Sequence, residues 1–379
     1  MLTLALLALV GGSLVYCVLT VAAAAQYRAV RPPEPESLPP VSILKPMAGA
    51  EDGLEENLRS FFEQKYPCFE ILFAVRSATD PALAVAERLR ARYPAVPSRL
   101  IVTGEPPYPN AKVYSLNRML AEAHYDIVVM ADSDVRVDPR LLAAVAAEFS
   151  DPRVGIVTCP YRAAPGRSFW STLEAVGLNT EFIGGVLVAR MLDGVKFALG
   201  PTIAARRETL RDIGGFDALK EFLAEDFMMG KLAAARGWQV RLSSYVIEHR
   251  IGSQAFGPNA RHRLRWNRST RRSRPWGYFG QIFTNPLPLA LLLWAAAPAW
   301  WPAVAVTAVF RAAAAMATAG VALRDPLPVR WWLLLPLQDV LSFVFWLAGF
   351  FGNTIVWRGR PYLLRRDGRF TPIASKPRM

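Results

Sequence analysis

Cysteine and histidine are the scarcest chemistry-bearing residues in this sequence. The chain has 379 residues and only three cysteines, Cys17, Cys68 and Cys159. They are isolated from one another, which argues against both a disulfide framework and a zinc site. We expect them to be small core residues in a reducing compartment. The three histidines are also scattered, and no Ser-His or Cys-His pairing typical of a covalent nucleophile is evident.

Acidic residues are the minority charge. The chain has 31 Asp and Glu against 44 Lys and Arg, a net charge of +13. Such a balance suits a nucleic acid, an anionic membrane surface or a phosphorylated substrate. No DNA- or RNA-binding motif is present, so we expect no nucleic-acid partner. The basic residues lie beside apolar segments, which favours a membrane surface and a diphosphate; they occur at Arg28, Arg31, Arg261–Arg274 and Arg358–Arg369.

Long apolar runs occur at both ends of the chain, and the mean hydropathy is +0.20. Leu2–Ala25 is uncharged and has about the length of a bilayer span. No basic residue precedes it, as a cleavable signal peptide would require. We therefore predict a retained anchor. Because Arg28 and Arg31 follow this span, the positive-inside rule places the downstream domain in the cytoplasm.

The C-terminal apolar region is predicted to hold further spans. Pro286–Leu323 is too long for one span and is interrupted by Pro298 and Pro302, which favours a hairpin of two. Trp331–Trp357 predicts another. Counting spans places the C-terminus outside, whereas the arginines of the tail favour inside, so the number of spans and the side of the C-terminus stay open.

The middle of the chain has the alternating pattern of an α/β domain. The predicted strands are Val41–Leu44, Glu70–Val75, Arg99–Val102 and Asp126–Met130, and the predicted helices are Leu54–Gln64, Pro81–Arg92 and Val113–Ala123. This alternation indicates a mostly parallel sheet flanked by helices. Phe182–Ile203 is apolar but contains three charged residues, so we predict a buried or membrane-dipping part of the same domain. The predicted organisation is an anchor (1–26), a proline-rich linker (27–40), an α/β domain (41–280) with a basic interfacial region (258–280), C-terminal transmembrane helices (281–357) and a basic tail (358–379).

Acidic residues follow the last predicted strand almost directly. Asp132 and Asp134 form a D-x-D pair after Ile127–Met130. Ligands of such sheets bind at the carboxyl ends of the strands, and Mg²⁺ or Mn²⁺ prefers carboxylate oxygens beside a diphosphate. A turn with solvated aspartates is the alternative. A second acidic pair, Glu225 and Asp226, follows a glycine turn and is predicted to open a helix, where a base could face a substrate cleft.

A basic segment around residue 265 is the third candidate element. On a helix, Arg261, Arg265, Arg268 and Arg272 would share one face. They could simply lie against anionic lipid headgroups. For Arg265 and Trp266 a more specific role is possible, because a guanidinium binds pyrophosphate through two hydrogen bonds and an indole ring can form one wall of a sugar or acceptor site.

Taken in order, these motifs resemble those of the ceramide glucosyltransferases, membrane members of the family-2-like GT-A glycosyltransferases. The likeness extends from about Val41 to Arg268, and weaker similarity continues to Arg360. Bacterial hopanoid glycosyltransferases, which use an N-acetylglucosamine donor, look similar too. The matching segments are VSILKP (41–46), YPCFEILFAVRSATDPA (66–82), NAKVYSLN (110–117), YDIVVMADSDVRVDP (125–139), FLAEDFMMGKLAAARGW (222–238), HRLRW (262–266) and WRGRPYLLR (357–365).

The resemblance implies a GT-A-type fold and a role for each matching residue. Asp80 would be the family's first aspartate, near the nucleotide. Asp132 and Asp134 would hold a divalent metal and the diphosphate, and Asp226 would be the base. Arg265 and Trp266 would belong to the family's (Q/R)xxRW element, whose first position is His262 here, a departure that puts the usual role of that position in doubt.

The implied reaction is an inverting transfer of a hexose from a UDP-sugar to a lipid hydroxyl. The acceptor would be ceramide with UDP-glucose as donor, or alternatively a hopanoid with UDP-N-acetylglucosamine. Lys112 or Arg265 could stabilise the leaving UDP together with the metal. A transporter or non-catalytic membrane scaffold is the alternative from another class, and a polysaccharide synthase is the alternative among enzymes. A large soluble block between the spans argues against the first, and few predicted spans argue against the second.

Overall fold

A computed structural model of the chain describes residues 1–31, 34, 38–357 and 359–373. Parts of the predicted linker and tail therefore lie outside the described residues. The central sheet has seven strands in the order β3-β2-β1-β4-β8-β6-β9. They are β1 (Val41–Pro46), β2 (Phe69–Val75), β3 (Ser98–Val102), β4 (Ile127–Ala131), β6 (Val154–Thr158), β8 (Thr202–Arg206) and β9 (Gln239–Leu242). Only β8 runs against its neighbours, so the mostly parallel sheet is confirmed.

Helices cover both faces of this sheet because its central strands are buried on both sides. On one face lie α2 (Leu54–Phe62) and α3 (Pro81–Arg92), and on the other α4 (Ala111–Glu122) and α9 (Glu225–Ala235). Two shorter helices, α5 (Leu141–Ala147) and α8 (Arg207–Asp212), complete the layers. The predicted strands and helices up to residue 131 are confirmed within about two residues at each end.

A small second sheet lies at the edge where β4 ends. It has the order β5-β10-β7, with β5 at Val135–Arg136, β7 at Tyr161–Ala164 and β10 at Ile247–Arg250. In this sheet Val135 is opposite His249. The pairing brings the D-x-D segment next to a strand more than 110 residues further along the chain.

The helices that could cross a membrane form a bundle beside this domain. Within the described residues three are long and apolar enough: α1 (Leu2–Arg28), Phe169–Asp193 and Pro298–Ala322. A fourth would be the pair Pro275–Thr284 and Pro286–Ala296, which is bent by 65°. These helices agree with an integral membrane protein. The bundle comprises α6 (Phe169–Gly177), a π-helical turn (Leu178–Phe182), α7 (Ile183–Asp193), α11 (Pro275–Gly280), α12 (Pro286–Ala296), α13 (Trp301–Met316) with a π-helical extension (Ala317–Ala322), and α14 (Leu335–Gly349).

Two features of this bundle differ from the prediction. The helix Phe169–Asp193 begins well before the predicted apolar segment 182–203. Its first part, α6, contains polar residues that are buried against other parts of the protein, and the apolar pattern therefore did not reveal where the helix starts. In the predicted span Trp331–Trp357 the α-helix α14 has only 15 residues; it is preceded by a 3-10 helix (Val329–Leu334) and followed by a strand. Such a helix is about 22 Å long, less than the hydrocarbon core of a bilayer.

Within the predicted basic tail, residues 359–373 are a folded part of the domain. Strands β11 (Thr354–Trp357), β12 (Arg360–Leu364) and β13 (Phe370–Pro372) form a third sheet. Its apolar side chains pack on Leu223, and the amide of Phe370 donates to the carbonyl of Glu221 at 2.9 Å. The C-terminal sheet therefore lies on the same side of the bundle as the α/β domain. That this side is the inside, as the arginines of the tail favour, stays a prediction.

The structure partly corrects two further predictions, that the arginines near residue 265 face lipid headgroups and that all three cysteines are core residues. Helix α10 (Phe256–Ser273) carries the predicted arginines, but Arg268 donates to the carbonyls of Phe351 and Thr354 at 3.1 and 2.5 Å, just beyond the end of α14. Arg272 contacts the Asn353 side chain. They therefore bind the chain that follows a helix rather than only facing headgroups. Cys17 and Cys159 are buried, but Cys68 is exposed because it lies just before β2.

Candidate active site

Lys112 joins the two acidic segments that the sequence singled out. Its ammonium lies 2.6 Å from Oδ1 of Asp132 and 3.3 Å from Oε1 of Glu225. Helix α4 positions it, with Asn110 as N-cap accepting from the Val113 amide at 3.1 Å. Burial lowers the pKa of Lys112, but the carboxylates of Asp132 and Glu225 outweigh burial, so the pKa is raised and the side chain is charged. The segment after β4 and the start of α9 thus meet at one point.

Asp134 pairs with a histidine that sequence reasoning did not select. Nε2 of His249 lies 3.2 Å from Oδ2 of Asp134. Burial raises the pKa of Asp134, but the charge and hydrogen bond of His249 outweigh it and lower the pKa; the same pairing outweighs burial and raises the pKa of His249. Oδ1 of Asp134 and Nδ1 of His249 are buried and have no hydrogen-bond partner in the described part of the chain.

Asp226 lies in the first turn of α9. Its Oδ1 accepts from the amide of Phe227 at 2.8 Å. A Cβ at Gly200 would come within 2.8 Å of its Oδ2, so a larger residue there would displace this carboxylate. Burial and the neighbouring charge of Glu225 raise the pKa of Asp226 to about 6. A buried carboxyl with this pKa can accept a proton near neutral pH, as a general base must.

Aromatic rings form one side of the site. The ring of Tyr161 lies 5.6 Å from that of Phe182 and 5.2 Å from the imidazole of His249. Phe182 is 6.0 Å from Trp266, which is 4.9 Å from His262. Trp266 therefore packs into a continuous aromatic wall that reaches the D-x-D segment through His249. Arg265 precedes Trp266 on α10.

The two remaining predicted residues have structural contacts as well. Asp80 is the N-cap of α3, with its carboxylate accepting from the amides of Ala82 and Gly49, both at 2.9 Å. It fixes the loop after β1, and its proximity to a nucleotide stays a prediction. His262 lies 3.1 Å from the carboxylate of Glu174. A ring nitrogen thus supplies a polar contact at the position where the family pattern has Gln or Arg.

Lys45 is a second site residue that sequence reasoning missed. It is fully buried in β1, donates to the carbonyl of Asp132 at 2.5 Å and lies 3.9 Å from the ring centre of Phe61. Burial lowers its pKa to about 7. The signal in the sequence was a lysine inside an otherwise apolar strand, VSILKP. No comparable signal marks His249, because only the pairing of β5 with β10 brings it to Asp134.

The carboxylates of the site are too few to enclose a metal ion by themselves. They suit a divalent ion that is also bound by oxygens of the substrate. Among the described residues no group of three or more His, Cys, Asp and Glu side chains is arranged to hold a metal. Asp132 and Asp134 offer two carboxylates, and Oδ1 of Asp134 is buried without a partner there. Mg²⁺ binds through one or two carboxylates and substrate phosphates. The residues therefore fit the predicted ion.

A model of glycosyl transferase family 21 matches residues 3–370. The chain belongs to this family. The match covers both the α/β domain and the membrane bundle, so the two parts form one family 21 unit. The predicted likeness to ceramide glucosyltransferases is confirmed.

Named relatives agree with the family 21 assignment. The chain is 30% identical over 222 residues to ceramide glucosyltransferase 1 of Caenorhabditis elegans, covering 58% of this chain and 47% of the relative. It is 38% identical over 109 residues to the ceramide glucosyltransferase of Komagataella phaffii, covering 28% of this chain and 21% of the relative. The chain thus spans less than half the length of these relatives.

One solved structure has the same fold. A mannosyltransferase from Pyrobaculum calidifontis, solved in complex with GDP-Man and Mn²⁺, is 21% identical and superposes with a TM-score of 0.55, over 92% of this chain and 99% of that one. The GT-A-type fold is therefore confirmed.

Proposed function

We propose that this chain is a hexosyltransferase that moves glucose from UDP-glucose to the hydroxyl of ceramide with inversion at the anomeric carbon. The observation that carries the proposal is that Lys112 joins Asp132 of the D-x-D segment to Glu225, the neighbour of Asp226, in a family 21 chain. Lipid as acceptor is supported by the bundle that packs against the site's aromatic wall.

Asp226 acts as the general base. It takes the proton of the acceptor hydroxyl while the hydroxyl oxygen bonds to the anomeric carbon and the bond to UDP breaks. Its pKa of about 6 leaves it mostly deprotonated at neutral pH, yet basic enough to assist. No covalent enzyme intermediate is required, since the displacement is a single step.

Cationic side chains stabilise the leaving diphosphate. Lys112 lies between the two acidic segments and can turn its ammonium towards developing charge. Arg265 would bind the diphosphate through two parallel hydrogen bonds, and Trp266 would wall the sugar or the acceptor. Asp80 would lie near the nucleotide.

Asp132 and Asp134 would hold a Mn²⁺ or Mg²⁺ ion. Such an ion neutralises charge on the diphosphate when it is bound. A cation at Asp132 would compete with Lys112 for the same carboxylate, so we expect the ammonium to move to the diphosphate as the donor binds. His249 keeps Asp134 ionised for this purpose.

We further propose that the α/β domain, residues 41–280, faces the cytoplasm between the anchor and the C-terminal helices. Arg28 and Arg31 after an uncharged span support this orientation. The C-terminal sheet lies on the same side.

The experiment that tests the function is a transfer assay with purified protein in nanodiscs. UDP-glucose and UDP-N-acetylglucosamine are each offered with ceramide and with bacteriohopanetetrol, and products are identified by mass spectrometry. We expect glucosylceramide. A product formed only from UDP-N-acetylglucosamine and the hopanoid would show that these, and not UDP-glucose and ceramide, are the substrates. The absence of a lipid product from every pair would refute lipid glycosylation.

A further inference from the structure

A carboxylate lies among the membrane helices, outside the site described above. Glu181 is part of the π-helical turn Leu178–Phe182, in the 25-residue apolar helix Phe169–Asp193. Its Oε1 accepts from the Thr284 hydroxyl at 3.1 Å and from the Asn285 amide nitrogen at 3.3 Å. Ionisable residues in membrane segments and π-helical turns both concentrate at functional sites.

In the described part of the chain neither of the two arginines near Glu181 forms a salt bridge with it, since Arg263 donates to the side chains of Gln338 and Ser342. Arg311 pairs with Asp339, with nitrogen-to-oxygen distances of 2.9–3.0 Å. It also donates to the Thr180 hydroxyl at 3.0 Å. Among the residues that the structure describes, Glu181 forms no salt bridge, and its two hydrogen bonds come from neutral groups. A carboxylate in such surroundings binds further donors strongly.

The unmet hydrogen-bonding capacity around Glu181 includes two acceptors. Both hydrogen bonds of Glu181 end on Oε1, and the side chain is half-buried, so Oε2 can receive another donor. Oδ1 of Asn285 is buried, and no donor reaches it within residues 1–31, 34, 38–357 and 359–373. A ligand that satisfies both atoms must bring O–H or N–H groups.

An apolar cavity that is largely open to the outside lies further along the same bundle. It has a volume of about 700 Å³ and lies between α1 and the start of α13, lined by residues that include Val10, Gly11, Leu14 and Val306. Tyr27, at the other end of α1, bonds to the carbonyl of Ser243 in the α/β domain. At 1.5 Å per residue, the cavity is roughly 25 Å from Tyr27 along the helix axis.

Contacts of Glu181 lead towards both the cavity and the aromatic wall. Thr284, which donates to Glu181, follows Phe283, whose ring would lie 2.6 Å from a Cβ at Gly12, the neighbour of the cavity-lining Gly11. Gly185, four residues after Glu181, would place a Cβ 3.5 Å from the Tyr16 hydroxyl in the middle of α1. The next residue after Glu181 is Phe182, whose ring packs on Tyr161 and Trp266. Aromatic wall, carboxylate and apolar cavity therefore follow one another along the bundle.

We infer that Glu181 and Asn285 bind the O–H and N–H groups of the lipid acceptor near its reacting hydroxyl, while its hydrocarbon chain occupies the cavity beside Gly11. The inference rests on the proposed function and adds the residues that select the acceptor. The lipid class that fits carries several donors beside one or more long chains, as ceramide does, rather than a simple long-chain alcohol.

Glu181→Gln and Asn285→Leu test the polar part. A hydrogen bond to a charged group contributes enough that its loss changes affinity about 10- to 100-fold. We expect the KM for ceramide to rise by about that factor in Glu181→Gln, with the KM for UDP-glucose nearly unchanged. The preference for ceramide over a long-chain primary alcohol should shrink in both variants.

Two controls separate this role from a structural one. Thr318→Val removes a buried hydroxyl of the same bundle whose one hydrogen bond, within the described residues, is to the Ala314 carbonyl of its own helix. Hydrolysis of UDP-glucose without acceptor reports whether the catalytic centre is intact. We expect the hydrolysis rate of every variant to stay near that of the unmodified chain.

Gly11→Phe and Gly320→Phe test the apolar part. A Cβ at either glycine meets no atom within 4 Å, so a side chain can begin at both positions without a clash, but only Gly11 lines the cavity. We expect Gly11→Phe to raise the KM for a long-chain ceramide more than for a short-chain one. Gly320→Phe should leave both values unchanged.

The outcomes distinguish this inference from the proposed function. If the unmodified chain glycosylates no lipid, the proposed function fails and the inference with it. If it glucosylates ceramide, but the KM for ceramide is the same in Glu181→Gln and Asn285→Leu as in the control Thr318→Val, the proposed function stands and the inference is wrong. A variant that loses UDP-glucose hydrolysis as well would assign Glu181 to the stability of the bundle instead, which also overturns the inference.

Discussion

Asp226→Asn isolates proton acceptance from the other properties of the site. The amide of asparagine has nearly the size of the carboxylate and keeps an oxygen that can accept from the Phe227 amide, as Oδ1 does now at 2.8 Å. It cannot take a proton from the acceptor hydroxyl. General-base assistance contributes roughly 10²- to 10⁴-fold, so kcat should fall by about that factor.

The same substitution has a predictable effect on stability. The pKa of Asp226 is about 6 in the folded chain against 3.8 ordinarily. Because the folded pKa is the higher one, the ionised carboxylate destabilises the fold above pH 6, by up to about 3 kcal/mol, and this cost vanishes below about pH 4. Asp226→Asn should therefore be no less stable than the unmodified chain at pH 7.

Kinetics and thermal unfolding are measured together over pH 5 to 8. In the unmodified chain kcat should rise with pH through about 6 and then level off, because the base must be deprotonated. Asp226→Asn should lose this rise and keep donor affinity. Glu225→Gln is the matched control, with a milder defect from weaker contact to Lys112. An inactive Glu225→Gln beside an active Asp226→Asn would refute the assignment of the base.

The remaining predictions concern the metal, the diphosphate and the orientation. Chelation with EDTA should abolish transfer and Mn²⁺ or Mg²⁺ should restore it, whereas full turnover in excess EDTA would exclude a metal at Asp132 and Asp134. Arg265→Lys should be nearly as damaging to kcat/KM as Arg265→Ala, because a single ammonium cannot reproduce two parallel hydrogen bonds; a near-normal lysine variant would make Arg265 part of the basic surface. A protease-sensitive tag in the exposed loop at Ala95 should resist protease added to intact cells, and cleavage without lysis would reverse the orientation.

The α/β part of the fold could be predicted because its signals are local. Strands β1, β2 and β4 are buried on both faces, which requires continuous apolar runs. Pro81 at the first position of α3 and Asp80 as its N-cap mark the helix start in the sequence itself. The acidic residues of the site follow from the same logic, since the carboxyl ends of such strands meet at one edge.

The membrane bundle and the C-terminal sheet could not be predicted as well, because their signals depend on distant residues. Trp331–Trp357 is apolar enough for a span, yet its last residues form β11 because β12 supplies the partner strand. From the sequence, the arginines of α10 are typical of a surface that binds lipid headgroups. In the structure, two of them donate to backbone carbonyls just beyond the end of α14. Hydropathy measures transfer out of water and does not distinguish lipid from protein as the new surroundings.

The histidine that replaces Gln or Arg at position 262 shows how the two parts of the chain are coupled. Its carboxylate partner Glu174 also accepts from Asn259 at 2.5 Å, so α10 is tied to α6 at two points one turn apart. Helix α6 continues through the π-helical turn into Phe182 and Glu181. A shift of α10 on binding the diphosphate through Arg265 would therefore be transmitted to the residues that we assign to the acceptor. Donor and acceptor sites that share one helix pair in this way are expected to bind cooperatively, since each ligand restricts the same element.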